Sequence, residues 1–426
     1  MSYSLRIVIL LTIACILGGI ITGQSYYYRL AYVWGFIILM SWLYTQLSLV
    51  GLSIRRIPRT LRSQVGQIFE ERFEIINTRS IPRIWVEVKD NSTLPGTKQS
   101  HILTLIRSHE VRTFVARTRL LERGVFSLGE TELLASDFFG LFSVKKKFPA
   151  VDHLLVYPMM VQINSFPSPA GWLAGGEALR RRTHQITPNA AGVRDYVQGD
   201  PLNRIHWLST ARRNRFIVKE YELDPMAEVW IFLDVERNNQ FEIKEELPKL
   251  EMREMWRPSV SIPLPASTVE YAVCIAASLS RYYLKNGRVV GFVSAGKNLW
   301  VLPSDRGARQ MGKILETLAL IRGDGNLPLQ AVVNAQIQNL ARGSTILLIT
   351  PSSEEKITPL VISLIQRGMH PIVICLNRHS FGDEAIEIPE LNLSVPATVP
   401  VFHIKKGDKL ENVLSQDNGK EKFKPL

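Results

Sequence analysis

The chain has 426 residues, a hydrophobic share of 46% and a formal net charge of +12. That length exceeds one ordinary domain, and that apolar share excludes a largely disordered chain. The basic balance admits nucleic acid, anionic lipid or an acidic protein as partner and selects none of them. Three cysteines, Cys15, Cys274 and Cys375, have no metal-ligand spacing and give no disulfide framework.

Leu5 to Ile21 is an almost unbroken apolar run, and Leu30 to Ile54 is a second, interrupted by Ser41, Gln46 and Ser48. Each is near the roughly 20 residues that cross a bilayer. The pattern reads as a two-span hairpin over residues 1–56, with lipid contact through residues 5–54. The rival is a cleaved signal peptide with one span, but no small-x-small cleavage site precedes Gln24. Tyr26, Tyr27, Tyr28, Tyr32 and Trp34 stand where an interfacial aromatic belt belongs. Arg55, Arg56, Arg59 and Arg62 follow the second run, whereas the connecting loop has only Arg29. The positive-inside rule then places the N-terminus and the soluble domains in the cytoplasm, on a multi-pass protein of the inner membrane.

Residues 57–160 read as a small all-β, sandwich-like domain. Strand-like runs are Glu70–Asn77, Ile84–Val88, Thr113–Arg117 and His153–Tyr157, with a loop from Asn91 to Ser100. Arg123 to Gly129 and Ser136 to Phe142 hold glycines that suit tight turns. Residues 161–225 form a connector. Its first part has Pro167, Pro169, Gly171 and the basic run Arg180, Arg181, Arg182, His184, read as a solvated loop. Its second part opens on Gly199-Asp200-Pro201, where Asp200 suits an N-cap and Pro201 a first helical position. Leu202, Ile205, Leu208 and Ala211 then share a helix face. Asn214 suits its end, and Phe216 to Glu222 a strand.

From 226 to 405 the period changes. Strand-like runs at Val229–Leu233, Arg288–Val293, Thr345–Ile349, His370–Leu376 and Val399–Ile404 alternate with helical patterns at Val269–Leu284, Gly307–Ile321, Leu329–Ala341 and Ile357–Arg367. That alternation predicts an α/β domain with a mostly parallel sheet covered on both faces. Arg237 to Ser267 is a polar insertion, and residues 406–426 a polar tail.

The spaced set Arg194, Tyr196, Gly199, Asp200, Pro201, Arg204, His206, Trp207, Ala211, Arg212 and Glu220 resembles the signature of the "domain of unknown function 58" family. The runs Arg123–Gly129 and Ser136–Phe142 resemble it too, although Phe138 stands where the family usually has proline. The resemblance implies a membrane-anchored protein with a Rossmann-type domain similar to von Willebrand factor A, associated with a MoxR-type AAA+ ATPase. Domains of that kind carry Asp-x-Ser-x-Ser after the first strand, with hard oxygen ligands that suit magnesium. Here those positions read Asp234, Glu236 and Asn238, and Thr350 is followed by Pro351 and Ser352. The metal site is therefore read as degenerate, with no metal and no cofactor expected.

No Walker motif or Gly-x-Gly-x-x-Gly occurs, so ATP hydrolysis by the chain itself is not expected. The expectation is a non-enzymatic scaffold or adaptor with no catalytic residue, docking its ATPase through Arg212, Arg213 and Arg215. Two alternatives remain: a hydrolase or metal-dependent enzyme using Asp200 and His206 or a residual cation at Asp234, and a nucleic-acid-binding module. Acidic residues interleave the arginines, so nucleic acid is not the expected partner.

Overall fold

The computed structural model describes residues 3–97, 100–149, 152–167, 190–197, 205–221, 228–243, 263–352, 354–382 and 399–415. The chain forms two compact units, the first built mainly on residues up to Met159 and the second mainly on those from Met160 onward.

The first unit opens with α1 (Tyr3–Thr22) and α2 (Ser25–Ser48), both long and apolar enough to cross a membrane. Gly23, at φ +70, turns the chain between them. A Cβ on Gly19 would fall 2.9 Å from the Tyr28 ring, so glycine lets the two helices close together there. The second apolar run is not one span to Ile54: α2 ends at Ser48, Gly51 takes φ +77, and β1 (Leu52–Pro58) begins. Leu52 pairs with Asn77 in a sheet, and Leu49 and Leu52 join a protein core instead of facing lipid.

The strands that follow are β2 (Arg62–Gln64), β3 (Ile68–Asn77), β4 (Arg83–Asp90), β5 (Ser100–Ile106), β6 (Val111–Arg119), β7 (Gly124–Leu128), β8 (Thr131–Ser136), β9 (Ser143–Phe148) and β10 (Asp152–Tyr157). They pair as β1-β3-β6, β5-β4-β8-β9 and β2-β10-β7, antiparallel except for β2 with β10. The first two sheets enclose a core with Phe73, Ile75, Val86, Val88, Ile106 and Leu133. Strands are found at all four predicted runs. The pattern misses β2, β5, β8 and β9: β2 has only three residues, β5 is mostly exposed and β9 carries Lys145, Lys146 and Lys147 in sequence, whereas β8 does alternate buried with half-buried residues. It also mistakes β7 for a turn. Gly129 is required by close approach, since a Cβ there would lie 2.5 Å from the Asn91 carbonyl oxygen.

Arg56, counted above among the cytoplasmic arginines, is an internal tie. Its Nε donates to Glu71, its Nη1 and Nη2 donate to Asp90 at 3.0 and 3.2 Å, and its guanidinium lies over the Phe73 ring. Arg59 pairs with Glu70 at 3.1 Å. Arg83 is 1% exposed and donates through Nη2 to the Val50 carbonyl at 2.7 Å, just past the end of α2. Burial pushes its guanidinium pKa down.

The second unit begins with the hairpin of β11 (Ala190–Asp195) and β12 (Ile217–Tyr221), with α3 (Trp207–Arg213) between them in sequence. Next come β13 (Val229–Leu233), α4 (Thr268–Lys285), β14 (Val290–Ala295), β15 (Leu299–Asp305), α5 (Gly307–Leu320), α6 (Leu329–Gln336), β16 (Thr345–Thr350), α7 (Glu354–Gln366), β17 (His370–Leu376), β18 (Val401–Ile404) and α8 (Leu410–Ser415). One sheet has the order β15-β14-β13-β16-β17-β18, all parallel except the edge strand β15. Trp230, Phe232, Ile346 and Leu348 face α6 and α7 in one core. Alternate residues such as Ile231 and Leu347 are equally buried, which explains why these strands read as continuous apolar runs. The segment after Lys405 is not wholly a polar tail, because α8 buries Leu410 and Leu414.

Candidate functional site

Two places merit a functional reading. The first lies where the sheet reverses its direction of growth. From β13 the chain passes to β14 on one side, then returns to β16 on the other. Open α/β sheets bind ligands outside the strand C-termini at such a reversal. Asp234 stands there, 2% exposed, directly after β13, with its main-chain N–H donating to Ile349 at 2.9 Å.

The Asp234 carboxylate is held from three directions. Thr350 Oγ1 donates to Oδ2 at 2.6 Å, Ser352 Oγ donates to Oδ2 at 2.8 Å, and the Glu236 N–H donates to Oδ1 at 3.0 Å. Asn239 Nδ2 donates to Glu236 Oε2 at 2.7 Å and to Ser352 Oγ at 2.8 Å. Gln240 Nε2 donates to the Asp234 carbonyl at 3.1 Å. Close backbone packing builds the floor: a Cβ on Gly325 would meet the Ala295 carbonyl oxygen at 2.4 Å. Of the three positions predicted after the first strand, Asp234 and Glu236 belong to this network and Asn238 does not. Asn238 is exposed, and the buried amide is Asn239. The reason is the 3-10 turn at Arg237–Asn239, which carries the chain back toward the sheet one residue later than an extended Asp-x-x-x reading assumes.

Chemically, one carboxylate, two hydroxyls and a half-buried glutamate are hard oxygen donors of the kind that suit a divalent cation. Here the hydroxyl protons point at the carboxylate, so a cation would have to displace them. Among the described residues there is no cluster of three or more His, Cys, Asp or Glu placed to hold a metal.

The second place is the signature segment. Gly199, Asp200, Pro201, Arg204 and Glu222 lie outside the described residues, as do Leu202, Arg180, Arg181, Arg182 and His184. The helix predicted from Pro201 does not include Ile205, which forms a β-bridge with Val218. It starts at Trp207, and its N-cap is His206, not Asp200. The His206 carbonyl accepts the N–H groups of Ser209 and Thr210, both at 3.0 Å. His206 Nδ1 accepts the Ser209 N–H at 3.3 Å and lies 2.7 Å from Ser209 Oγ. Asn214 ends the helix in the left-handed conformation, at φ 50, as its sequence position predicts.

Tyr196 donates its N–H to Phe216 at 2.9 Å, and the two rings meet edge to face. Arg194 pairs in register with Val218, and Gly192 with Glu220. Arg215 pairs with Asp195 at 2.9 Å, both well exposed. Ala211, Arg212 and Arg213 are exposed on α3. So is Trp207, at 66%, with Leu208 at 62%.

This exposure carries an expected result. Trp207→Ala should change stability by less than about 0.5 kcal/mol, as surface substitutions do. His206→Ala should cost about 1 kcal/mol through the lost cap. Urea denaturation of both variants checks the pair. A loss of roughly 3–5 kcal/mol for Trp207→Ala would place the indole in a core.

Residues 192–255 match the family described as "Protein of unknown function DUF58". That segment is what the chain shares with the DUF58 family. The match takes in the signature segment and, of the first place, Asp234, Glu236, Asn239 and Gln240, while Thr350 and Ser352 lie beyond it. A curated relative, "Uncharacterized protein YeaD" of Bacillus subtilis (strain 168), is 23% identical over 219 residues. That alignment covers 50% of this chain and 47% of the relative, so it spans about half the length of the curated relative. Solved structures that overlap parts of the chain include the CARDB domain of the PF1109 protein of Pyrococcus furiosus, in complex with di-metal ions. It is 9% identical over 25% of this chain and 91% of that chain, with a TM-score of 0.20. A FixG-related protein from Vibrio parahaemolyticus is 12% identical over 25% of this chain and 96% of that chain, with a TM-score of 0.16.

Proposed function

We propose that this protein is a membrane-anchored, non-enzymatic adaptor that presents its family-matched segment to a protein partner. The observation that carries the reading is the surface of α3. Trp207 and Leu208 stand exposed beside the exposed Arg212 and Arg213, and tryptophan and arginine are the residues enriched at interface hot spots. Asp234 supports it from the other side: its carboxylate is engaged by hydroxyls of the same chain instead of being open to a substrate. The family resemblance names the partner, a MoxR-type AAA+ ATPase, and likens the α/β unit to von Willebrand factor A. On this reading α1 and α2 span the inner membrane, and the two folded units face the cytoplasm.

The test is binding of the purified chain to the ATPase expressed from the same organism. Trp207→Ala should weaken binding by tenfold or more with the fold intact. Reversing the charge of Arg212, Arg213 and Arg215 together should slow association and reduce its salt dependence. Unchanged binding by both folded variants would move the docking surface elsewhere.

Orientation is tested separately. The positive-inside rule acts on the chain as it inserts, before Arg56 finds Glu71, so the arginines after α2 still count. Reporters fused after Gly66 and at the C-terminus should both report cytoplasm. A periplasmic signal from either would place the partner outside the cell.

One observation favours a hydrolase as the second reading. Ser209 Oγ and His206 Nδ1 are at the distance of a nucleophile and its base, 2.7 Å. Asp200, which the hydrolase reading pairs with His206, lies outside the described residues. A fluorophosphonate probe that labels the chain but not Ser209→Ala would decide for it; no labelling is expected.

A further inference from the structure

The geometry points to a third membrane contact, made by the first folded unit. We propose that the turn from Asp137 to Phe142 seats Phe138 and Phe139 in the bilayer, and that a lipid acyl chain fills the cleft between this turn and the two apolar helices. This inference rests on the reading of α1 and α2 as membrane spans.

The turn is built to hold its aromatic pair outward. The Asp137 carboxylate, 6% exposed, accepts the N–H of Phe139 at 3.0 Å and of Phe142 at 2.8 Å. The Gly140 N–H closes onto the Asp137 carbonyl, and Gly140 takes φ +65, a conformation costly for any residue with a Cβ. Leu141 turns inward at 3% exposure, while Phe138 and Phe139 remain 68% and 61% exposed. Two adjacent phenylalanines held rigidly in the open are unusual on a surface that meets only water.

What lies beside them identifies the occupant. The Phe138 ring centroid is 5.6 Å from that of Tyr44 on α2. A cleft of about 260 Å³ is lined by Ile7 and Val8 of α1, Trp34 and Ile37 of α2, and Phe139 and Leu141 of the turn. Tyr44 lies four residues before the end of α2 at Ser48, which at 1.5 Å per residue is about 6 Å along the axis. That is the depth at which aromatic side chains collect, where headgroups meet acyl chains. The α1 helix that lines the cleft through Ile7 and Val8 also has surfaces where Leu10, Leu11 and Leu17 are exposed. If those surfaces contact lipid, so does the cleft. The charge nearby agrees. Lys145 and Lys146 are exposed on β9, which follows the turn, and Lys146 Nζ donates to the Leu52 carbonyl at 3.0 Å, just past α2. Cations in that position face headgroup phosphates.

The experiment uses the full chain in vesicles of phosphatidylcholine with a minority of phosphatidylglycerol. On a Cys15→Ala background, single cysteines replace Ile13, Phe139 and Asn298 in turn, each labelled with the same environment-sensitive fluorophore. Cys274 and Cys375 are buried. Quenching by brominated acyl chains and by aqueous iodide is then compared. Brominated lipid should quench the labels at 13 and 139, and iodide should quench 139 several-fold less than 298. If 13 is quenched by lipid but 139 behaves like 298, the anchor stands and the third contact is overturned. If 139 is shielded from iodide yet untouched by brominated lipid, protein covers the turn, a second copy included, and the proposal is again overturned. If 13 itself is not quenched by lipid, the membrane reading fails and the inference fails with it.

Discussion

Arg56→Met should destabilise the first unit by about 3–5 kcal/mol, the range for removing one partner of a buried ion pair. Glu71 is 4% exposed, and its carboxylate would lose the Nε–H that holds it. Asp90 would lose both guanidinium contacts, and the Phe73 face its cation. The pH dependence of the variant gives a second readout. Burial already raises the Glu71 carboxyl pKa above 4.5, against the opposing pull of Arg56. A folded-state pKa above the unfolded value means that the folded form binds the proton more tightly. Its contribution is then fully present below the unfolded value and is lost as pH rises through the folded one. With Arg56 gone the shift should grow, so Arg56→Met should recover stability as pH falls from neutrality toward 4.5, while the parent chain recovers less. Arg56→Met with Glu71→Leu should restore part of the loss at neutral pH. Thermal melts of the chain in detergent, at several pH values, measure all three. A cost below about 1 kcal/mol would show that water screens the pair as it does at a surface.

Asp234→Ala should cost about 3 kcal/mol or more in the second unit. It strands the Thr350 and Ser352 hydroxyls and the Glu236 N–H, and each buried group left unsatisfied costs roughly 1–3 kcal/mol. Asp234→Asn should cost less, because a side-chain carbonyl oxygen can still accept from both hydroxyls. The same variants separate a structural knot from a metal centre. A cation bound only to the folded chain raises its melting temperature once its concentration exceeds the dissociation constant. With magnesium or manganese, no saturable rise is expected in the parent chain. A rise that Asp234→Ala abolishes would show that the cation displaces the hydroxyl protons and that the site is a working one.

Elements whose residues report their surroundings locally are legible in the residue pattern alone. Two apolar runs give two long apolar helices, because crossing a bilayer demands a length that composition alone reveals. Val229–Leu233, Thr345–Ile349 and His370–Leu376 read as strands because both faces of a parallel sheet are buried, so all but their first residues are almost wholly apolar. Asn214 was legible as a helix end from one residue type. The family signature was legible because many spaced residues match together.

The rest comes from where the chain returns on itself and from local turns that no residue pattern announces. Leu52 to Ile54 are as apolar as a span, but they pair with β3 because Gly51 ends the helix geometry and Asn77 returns beside Leu52. Arg56 reads as one more basic residue until Glu71 and Asp90 close on it. The helix pattern opens at Pro201 with Asp200 as its cap, but Ile205 bridges to Val218 and the helix starts at Trp207 with His206 at its N-terminus. Asn239, not Asn238, reaches Ser352 because a 3-10 turn advances the register by one residue. The Asp234 knot itself joins residues more than a hundred positions apart, and no window of sequence contains both halves. Local pattern sets which backbone a segment prefers. Which polar group meets which is set by where the chain returns, and that follows from packing the whole sheet.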